Sequence, residues 1–286
     1  MQSGSAREVR GSKVDPITRR TYGLFVSLQD WMDTDRWRQR ASSFGPAAEL
    51  YDRVRPSYPL PALQWALTPL GPGTWRIGDI GAGTGIMTRL ILGAGHEAVA
   101  VEPDPLMRRR LADTTPAALA VEGSAESMPL ADGSLDGAVA AQAYHWFDRD
   151  RAHAELARVI RPGGMFAAIW NDRDDTAAWV HEYSRIVEGD RGPDGSGADS
   201  GRAAVTSYGD AFGAVDRAVF HHWVPHTAES LVALLESRSY YLAATVRRKA
   251  ELESEVLHLA RTHPDLAART EFELPYVTMV FRAIRV

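Results

Sequence analysis

Short apolar runs alternate with amphipathic segments through the central part of the chain. Four runs predict buried strands, over residues 75–80, 97–101, 117–121 and 135–141. Between them, apolar residues recur at helical spacing, as in residues 86–92 and around Met107. Strands that alternate with helices in this way indicate an α/β domain built on a parallel sheet.

The pattern continues into the C-terminal half. It predicts helices over residues 150–160, 176–188, 228–236 and 242–262, and strands over 165–170, 215–224 and 273–284. Two turns are predicted, at Arg161-Pro-Gly-Gly164 and at the polar-aromatic stretch 237–241. The glycine-rich segment 189–201 predicts a surface loop, with a mobile flap over an active site as the alternative.

An N-terminal segment precedes the alternating pattern. Its first 15 residues are polar and are expected to be disordered, whereas residues 18–40 carry an amphipathic helical pattern that includes Trp31 and Trp37. This segment predicts a helix packed on the flank of the domain, or a lid or dimer arm. We therefore divide the chain into an extension, residues 1–43, and a domain, residues 44–286.

A glycine-rich loop follows the first strand and leads directly into a helix. The loop is Gly81-Ala82-Gly83-Thr84-Gly85, and glycine there permits a sharp bend and close approach of a ligand to bare main chain. It departs from the dinucleotide fingerprint G-x-G-x-x-G because Ile86 occupies the position of the last glycine. Asp79, just before the loop, would repel a pyrophosphate but would suit a cationic ligand.

The D-x-G-x-G-x-G pattern of residues 79–85 resembles motif I of the class I S-adenosylmethionine (SAM) methyltransferases. In that family the loop cradles the amino-acid half of SAM and the acid helps to hold it. Glu102, at the end of the second strand, occupies the place of the acid that accepts hydrogen bonds from the ribose hydroxyls. Pro103 starts the turn into the next helix, in which Met107 is expected either to touch adenine or to lie in the core.

Two further stretches are similar to the same family. In the segment 123–130, the resemblance implies adenine contacts from Ser124, Ala125 and Glu126, and leaves the hydrogen-bonding partner open between Ser124 and Glu126. The Arg161-Pro-Gly-Gly164 turn before the fifth strand is a hallmark of the family. The fold implied is Rossmann-like: seven strands, mostly parallel with the last one antiparallel, and helices on both faces.

A polar and aromatic cluster, Gln142-Ala-Tyr-His-Trp-Phe-Asp148, follows the fourth strand. Ligands bind at the carboxyl ends of parallel strands, so this cluster should face the transferred methyl group and the substrate. We assign Gln142 to the cofactor, and Tyr144 and His145 to catalysis. For His145 the roles of a base, of a substrate-positioning residue and of a half-buried structural histidine all stay open. The candidates for substrate contacts are Trp146, Trp170, Arg238 and Tyr240.

The stretch 44–59, FGPAAELYDRVRPSYP, is similar to the beginning of the trans-aconitate methyltransferase-like subgroup. There a tyrosine and an arginine lie over the SAM pocket, which implies cofactor contacts for Tyr51 and Arg55. An arginine is also suited to pairing with a carboxylate. The alternative is that Tyr51 lies in the core and Arg55 forms a surface ion pair.

The composition of the chain restricts the kinds of molecule that it is expected to bind. The net charge of −5 and the lack of a basic tract disfavour a nucleic-acid substrate. The chain has no cysteine, no recognisable metal-ligand spacing and no apolar run of membrane-spanning length, so we expect a cytoplasmic protein without a metal. A homodimer is kept open.

Together, the resemblances imply SAM-dependent methylation of a small molecule, with oxygen as the favoured acceptor, in a carboxylate or a hydroxyl group. Arg55 and Arg238 would suit an anionic substrate. Methylation of nitrogen or carbon, a protein that binds SAM without transferring methyl groups, and an NAD-dependent oxidoreductase are the alternatives.

Overall fold

A seven-stranded sheet forms the centre of the molecule in a computed structural model, which describes residues 48–188 and 205–286. Its strands are β1 (Arg76–Ile80), β2 (Glu97–Val101), β3 (Leu119–Val121), β4 (Leu135–Ala141), β5 (Ile160–Arg173), β6 (Asp216–His226) and β7 (Phe272–Ile284). The spatial order is β3-β2-β1-β4-β5-β7-β6. Strands β1 to β5 run parallel, and β7 is antiparallel to both β5 and β6. The predicted Rossmann-like sheet, mostly parallel with an antiparallel last strand, is confirmed.

Helices within the described ranges connect and cover these strands. They are α1 (Ala48–Val54), α2 (Leu60–Leu67), α3 (Ile86–Gly93), α4 (Pro105–Thr114), α5 (Arg149–Val159), α6 (Ala178–Glu188), α7 (Ala228–Glu236), α8 (Ser239–Ala243) and α9 (Val246–Thr262). The predictions for residues 1–43 and for the loop 189–201 lie outside the described residues.

The two faces of the sheet belong to two separate apolar cores. Along β5, Phe166 and Trp170 pack into the core that includes α5, whereas Ala167 and Ile169 pack into the core formed with α2 and α3. This alternation follows from the period of two along a strand, and it requires helices on both faces. A third core joins α6, α7 and α9 with the beginning of β7.

Strand β5 is longer than the sequence predicts. The Arg161–Gly164 segment is a bulge within the strand, because the register on β4 advances from Leu135 to Gly137 while β5 advances from Ile160 to Met165. Arg285 anchors the bulge through two main-chain hydrogen bonds, to Gly163 and Gly164. Only glycine fits at position 164, since a Cβ atom there would lie 2.4 Å from the carbonyl oxygen of Asp136.

The predicted helix 242–262 is wrong at its start, and the predicted turn 237–241 is partly helical. The chain forms the short helix α8 and then a new helix, α9, which begins at Val246. The side chain of Thr245 caps α9 by accepting a hydrogen bond from the backbone N–H of Arg248. This cap separates the two helices.

Candidate functional site

The glycine loop bends at three left-handed residues. Gly81, Gly83 and Gly85 have φ values of 72°, 57° and 87°, a region that other residues enter only with strain. A Cβ atom at Gly81 would lie 2.7 Å from Ala143, and one at Gly85 would lie 2.9 Å from Leu111. At Gly83, by contrast, a Cβ atom would meet no described atom within 4 Å. The main chain there is open to a ligand. Ala82 and Thr84 lie in the same loop, with the Thr84 side chain buried.

Asp79 is a buried carboxylate directly beneath this loop. Its Oδ2 atom accepts a hydrogen bond of 2.6 Å from Thr88 on α3. Its Oδ1 atom is buried and has no hydrogen-bond partner among the described residues. The pKa of Asp79 is raised to about 7, mainly by burial, with the hydrogen bond from Thr88 opposing the shift and the nearby Glu102 adding to it. A cation that donated to Oδ1 would relieve this unfavourable state.

Glu102 lies at the end of β2 and faces the glycine loop. Its two carboxylate oxygens accept hydrogen bonds from the backbone N–H groups of Gly83, at 2.7 Å, and Asp104, at 2.8 Å. Burial raises its pKa, and these two hydrogen bonds oppose the shift. The structure therefore brings Asp79, the loop and Glu102 together, as the sequence predicts.

The predicted adenine-binding residues lie further along the same edge. Met107 is buried on α4, and Pro103 is exposed at the turn before it. Ser124 accepts a hydrogen bond of 3.3 Å from the backbone N–H of Glu126, and Ala125 is buried. The Glu126 carboxylate accepts a hydrogen bond from the backbone N–H of Asp148. Both candidates for the adenine partner thus make local contacts, and the choice between them stays a prediction.

Gln142 is a strained residue at the end of β4. Its φ of 55° is the one left-handed value among the non-glycine residues of the described ranges, and such strain concentrates at functional sites. Its side chain donates a hydrogen bond of 2.7 Å to the carbonyl oxygen of Asn171 at the end of β5. Asn171 donates in turn to the carbonyl oxygen of Ser57 and accepts from Thr278 on β7. This network, which sequence reasoning missed, fixes the segment before α2 over the strand ends.

Tyr144 is part of the core. Only 1% of it is exposed, and its hydroxyl lies 2.9 Å from Nε2 of His153 on α5. Its ring packs edge-on against Trp170 and Tyr208. Burial raises its pKa to about 12. This geometry favours a packing role for Tyr144 over the catalytic role predicted from the sequence.

His145 follows Tyr144 and lies half-buried at the end of β4. The indole N–H of Trp170 donates to its Nδ1 atom across 3.4 Å, and its ring tilts against Trp146 at a centroid distance of 5.0 Å. A neutral imidazole that accepts at Nδ1 carries its proton on Nε2. The side chain held in this way is a hydrogen-bond donor at Nε2.

Tyr51 and Arg55 extend from α1 toward α7 and α8. The Arg55 guanidinium lies 4.7 Å above the Tyr51 ring and donates a hydrogen bond of 3.1 Å to the carbonyl oxygen of Ser237. The pKa of Arg55 is lowered to about 10, mainly by burial and then by the charge of Arg238, while Tyr240 is among the phenols that oppose the shift. These contacts bring Arg55 close to Arg238 and Tyr240, predicted residues more than 180 positions away. They are not those of a surface ion pair.

Comparison with known proteins identifies the family. Residues 78–168 match a methyltransferase domain family. An uncharacterized methyltransferase of Mycobacterium tuberculosis is 39% identical over 247 residues, which cover 86% of this chain and 97% of that protein. The chain belongs to the class I methyltransferase family.

Two further comparisons place this methyltransferase among its relatives. A solved protein of Anaeromyxobacter dehalogenans, proposed to be a type II methyltransferase, superimposes with a TM-score of 0.61 and is 26% identical, over 81% of this chain and 97% of that one. A malonyl-[acyl-carrier protein] O-methyltransferase of Methylococcus capsulatus is 38% identical over 149 residues, about half of each chain. The family assignment removes the NAD-dependent alternative.

Arg89 ties three parts of the methyltransferase site together. It donates to Asp52 on α1 at 2.5 Å and to the carbonyl oxygen of Thr84 in the glycine loop at 2.9 Å. Arg110 on α4 also donates to Asp52, at 3.0 Å. The Asp52 side chain is only 8% exposed, so these ion pairs hold α1, with Tyr51, against the loop.

Replacing Asp52 by asparagine is expected to lower the free energy of unfolding by about 2 kcal/mol, because two arginines lose a largely buried counter-ion. Urea denaturation of the full chain measures this loss. Asp132→Asn is the control, since Asp132 pairs with Arg158 while 82% exposed and should contribute below about 1 kcal/mol. Equal losses in the two variants would show that Asp52 does not anchor α1.

Within the described residues, no helix has the length and apolar character needed to cross a bilayer. The same residues contain no group of histidine and carboxylate side chains arranged to hold a metal ion.

Proposed function

We propose that this methyltransferase uses SAM and transfers its methyl group to an oxygen atom of a small molecule. The observation that carries the proposal is the buried Oδ1 atom of Asp79, which has no hydrogen-bond partner among the described residues. Asp79 lies on the strand that leads into the glycine loop, where the backbone of Gly83 is open. An ammonium group is the ligand that such a carboxylate suits best. SAM presents an ammonium group in its amino-acid half.

The residues present fit the rest of SAM as well. The three left-handed glycines leave room beside the loop, and Glu102 offers carboxylate oxygens for ribose hydroxyls. When bound, SAM would supply a methyl group already activated by the positive sulfur. The protein then has to hold the acceptor in line and exclude water. We infer that Tyr51 and Trp146 cover and line that space, whereas Trp170 is buried in the core and acts through its hydrogen bond to His145.

Oxygen as the acceptor is supported by the relative that is named as an O-methyltransferase. It is also supported by the Nε2 donor of His145, which suits an acceptor that carries oxygen lone pairs. We further propose that the protein acts in the cytoplasm, which is compatible with a chain that lacks cysteine. A small molecule is the proposed substrate, without nucleic acid, and a homodimer stays open.

Calorimetry and labelling test the proposal. The full chain should bind SAM and S-adenosylhomocysteine (SAH) but not NAD, and incubation with tritiated-methyl SAM and small-molecule extract should yield a labelled product. Mild alkali releases labelled methanol from a methyl ester and leaves ethers and methylamines intact. This treatment therefore distinguishes a carboxylate acceptor from a hydroxyl or an amine. Binding of SAM without any labelled product would instead indicate a SAM-binding protein that does not transfer methyl groups.

Glu102→Ala is expected to weaken SAM binding about 10- to 100-fold, because hydrogen bonds to a charged group are lost. The matched control is Glu122→Gln, because Glu122 follows β3 as Glu102 follows β2 but is 77% exposed in a pair with Arg108. Calorimetry should show SAM affinity close to that of the wild type in this control. Unchanged affinity in Glu102→Ala would remove Glu102 from the site.

A further inference from the structure

Arg55 and Arg238 form a pair of like charges at the edge of the proposed SAM site. The Arg55 side chain donates to the carbonyl oxygen of Ser237, the neighbour of Arg238, so both residues are held at the same point of the chain. Both are half-buried. After burial itself, Arg238 is the strongest influence that lowers the pKa of Arg55. Two guanidinium groups therefore repel each other in a place that is poorly hydrated.

No carboxylate of the described ranges offsets this charge. Neither Arg55 nor Arg238 forms a salt bridge there, and the buried Nε atom of Arg55 has no acceptor among those residues. Several phenols interact electrostatically with the pair, among them Tyr51, Tyr183, Tyr240 and Tyr276. A third guanidinium, that of Arg173, also acts on Tyr183 and Tyr276. The hydroxyl of Tyr276 is also buried without a described partner. Buried charges of this kind are stabilised by a counter-ion, and here it has to come from outside these residues.

The arginine pair lies beside the SAM site. Arg89 joins Asp52, the neighbour of Tyr51, to the carbonyl oxygen of Thr84 in the glycine loop. The Arg55 guanidinium lies 4.7 Å above the ring of that same Tyr51. The hydrogen bond from Asn171 to Ser57 holds the segment after Arg55 over the end of β5. The carboxylate of SAM carries one negative charge against the two positive charges of the pair. With SAM bound nearby, the pair as a whole would still attract a second anion.

We infer that Arg55 and Arg238 bind the carboxylate of an acidic substrate whose body is apolar or aromatic. Two guanidinium forks match the oxygens of a carboxylate in geometry and charge, and the tyrosine rings supply an apolar wall with hydroxyls for additional hydrogen bonds. This inference rests on the proposed function and names the substrate class for the same site.

Calorimetric titrations of the full chain saturated with SAH test the inference, with benzoate and octanoate as probes. Their amides, benzamide and octanamide, have the same shape without the charge. At least one acid should bind about 10-fold or more tightly than its amide, and Arg238→Gln should weaken that acid about 10- to 100-fold. Affinity for SAH should stay close to that of the wild type. Arg269→Gln, at an exposed arginine, is the control and should change neither the affinity for the acid nor the affinity for SAH.

Three results would overturn the inference. The first is equal binding of each acid and its amide, or no binding of either acid. The second is unchanged acid affinity in Arg238→Gln. The third is a loss of SAH affinity in Arg238→Gln as large as the loss of acid affinity, which would assign the pair to the carboxylate of the cofactor. Failure of the proposed function is seen separately, as a chain that does not bind SAH, and the acids are then titrated without it.

Discussion

Asp79→Asn should melt at a higher temperature than the wild type at pH 8 when no ligand is present, and it should bind SAM about 10- to 100-fold more weakly. The stabilisation follows from the pKa of about 7 that burial imposes on Asp79. An unfolded aspartate titrates near 3.9. Between about pH 4 and pH 7, the native protein thus keeps a proton that the unfolded chain has released. The contribution of this group to stability therefore falls as pH rises through that window, by up to about 4 kcal/mol.

The pH dependence distinguishes the stabilisation that comes from removing the buried Asp79 carboxylate from a stabilisation that comes from better packing. At pH 5 the Asp79 carboxyl is protonated in the folded wild type, so the two proteins should melt at closer temperatures there than at pH 8. The SAM affinity of the wild type should also decline as pH falls from 7 to 5, because the Asp79 carboxylate becomes protonated. The affinity of the variant should decline less, since only Glu102, whose pKa burial also raises, can still take up a proton there. Melting curves and calorimetry at the two pH values measure both. A wild-type SAM affinity that is constant over this range would contradict the assignment.

His145→Ala should lower kcat about 100-fold with SAM affinity unchanged, since loss of a side chain that positions the acceptor in line with the methyl group has effects of this size. The contact with Trp170 keeps the ring proton on Nε2, which makes His145 a donor toward the substrate. His145→Gln is the informative partner, because an amide can donate a hydrogen bond but cannot take up a proton. We expect it to recover a substantial part of the lost rate.

Steady-state kinetics with the labelled substrate distinguish the roles left open for His145. A glutamine variant as slow as the alanine variant, together with a wild-type rate that falls at acid pH, would make His145 a general base for a hydroxyl acceptor. Full activity in both variants would leave it a structural residue.

The sequence predicts best the parts of the site that depend on local order along the chain. Asp79, the glycines and Glu102 each sit at the end of a strand, and the order of strands and helices is enough to bring parallel strand ends to one edge. Strands β2 and β4 begin and end as predicted. The sequence does not predict contacts between distant segments, such as the hydrogen bond from Asn171 to Ser57.

Two differences between prediction and structure show that contacts between distant segments decide the parts of the fold that the sequence does not predict. The turn predicted at Arg161–Gly164 is instead a bulge within β5 because Arg285, at the far end of the chain, binds its main chain. Tyr144 lies next to His145 in the cluster after β4, but its ring turns into the core toward His153, while His145 stays half-buried. The spacing of residues within the cluster does not determine in which direction either side chain points.

The hydrogen bond between Glu102 and the backbone N–H of Gly83 has a consequence for the speed of ligand capture. The two carboxylate oxygens of Glu102 each accept one main-chain hydrogen bond, at 2.7 and 2.8 Å, so the side chain is held in one orientation. Each oxygen keeps a second lone pair, so ribose hydroxyls can donate to Glu102 without displacing either main-chain group. Capture then needs no rearrangement at this carboxylate, and the observed association rate should rise in proportion to ligand concentration.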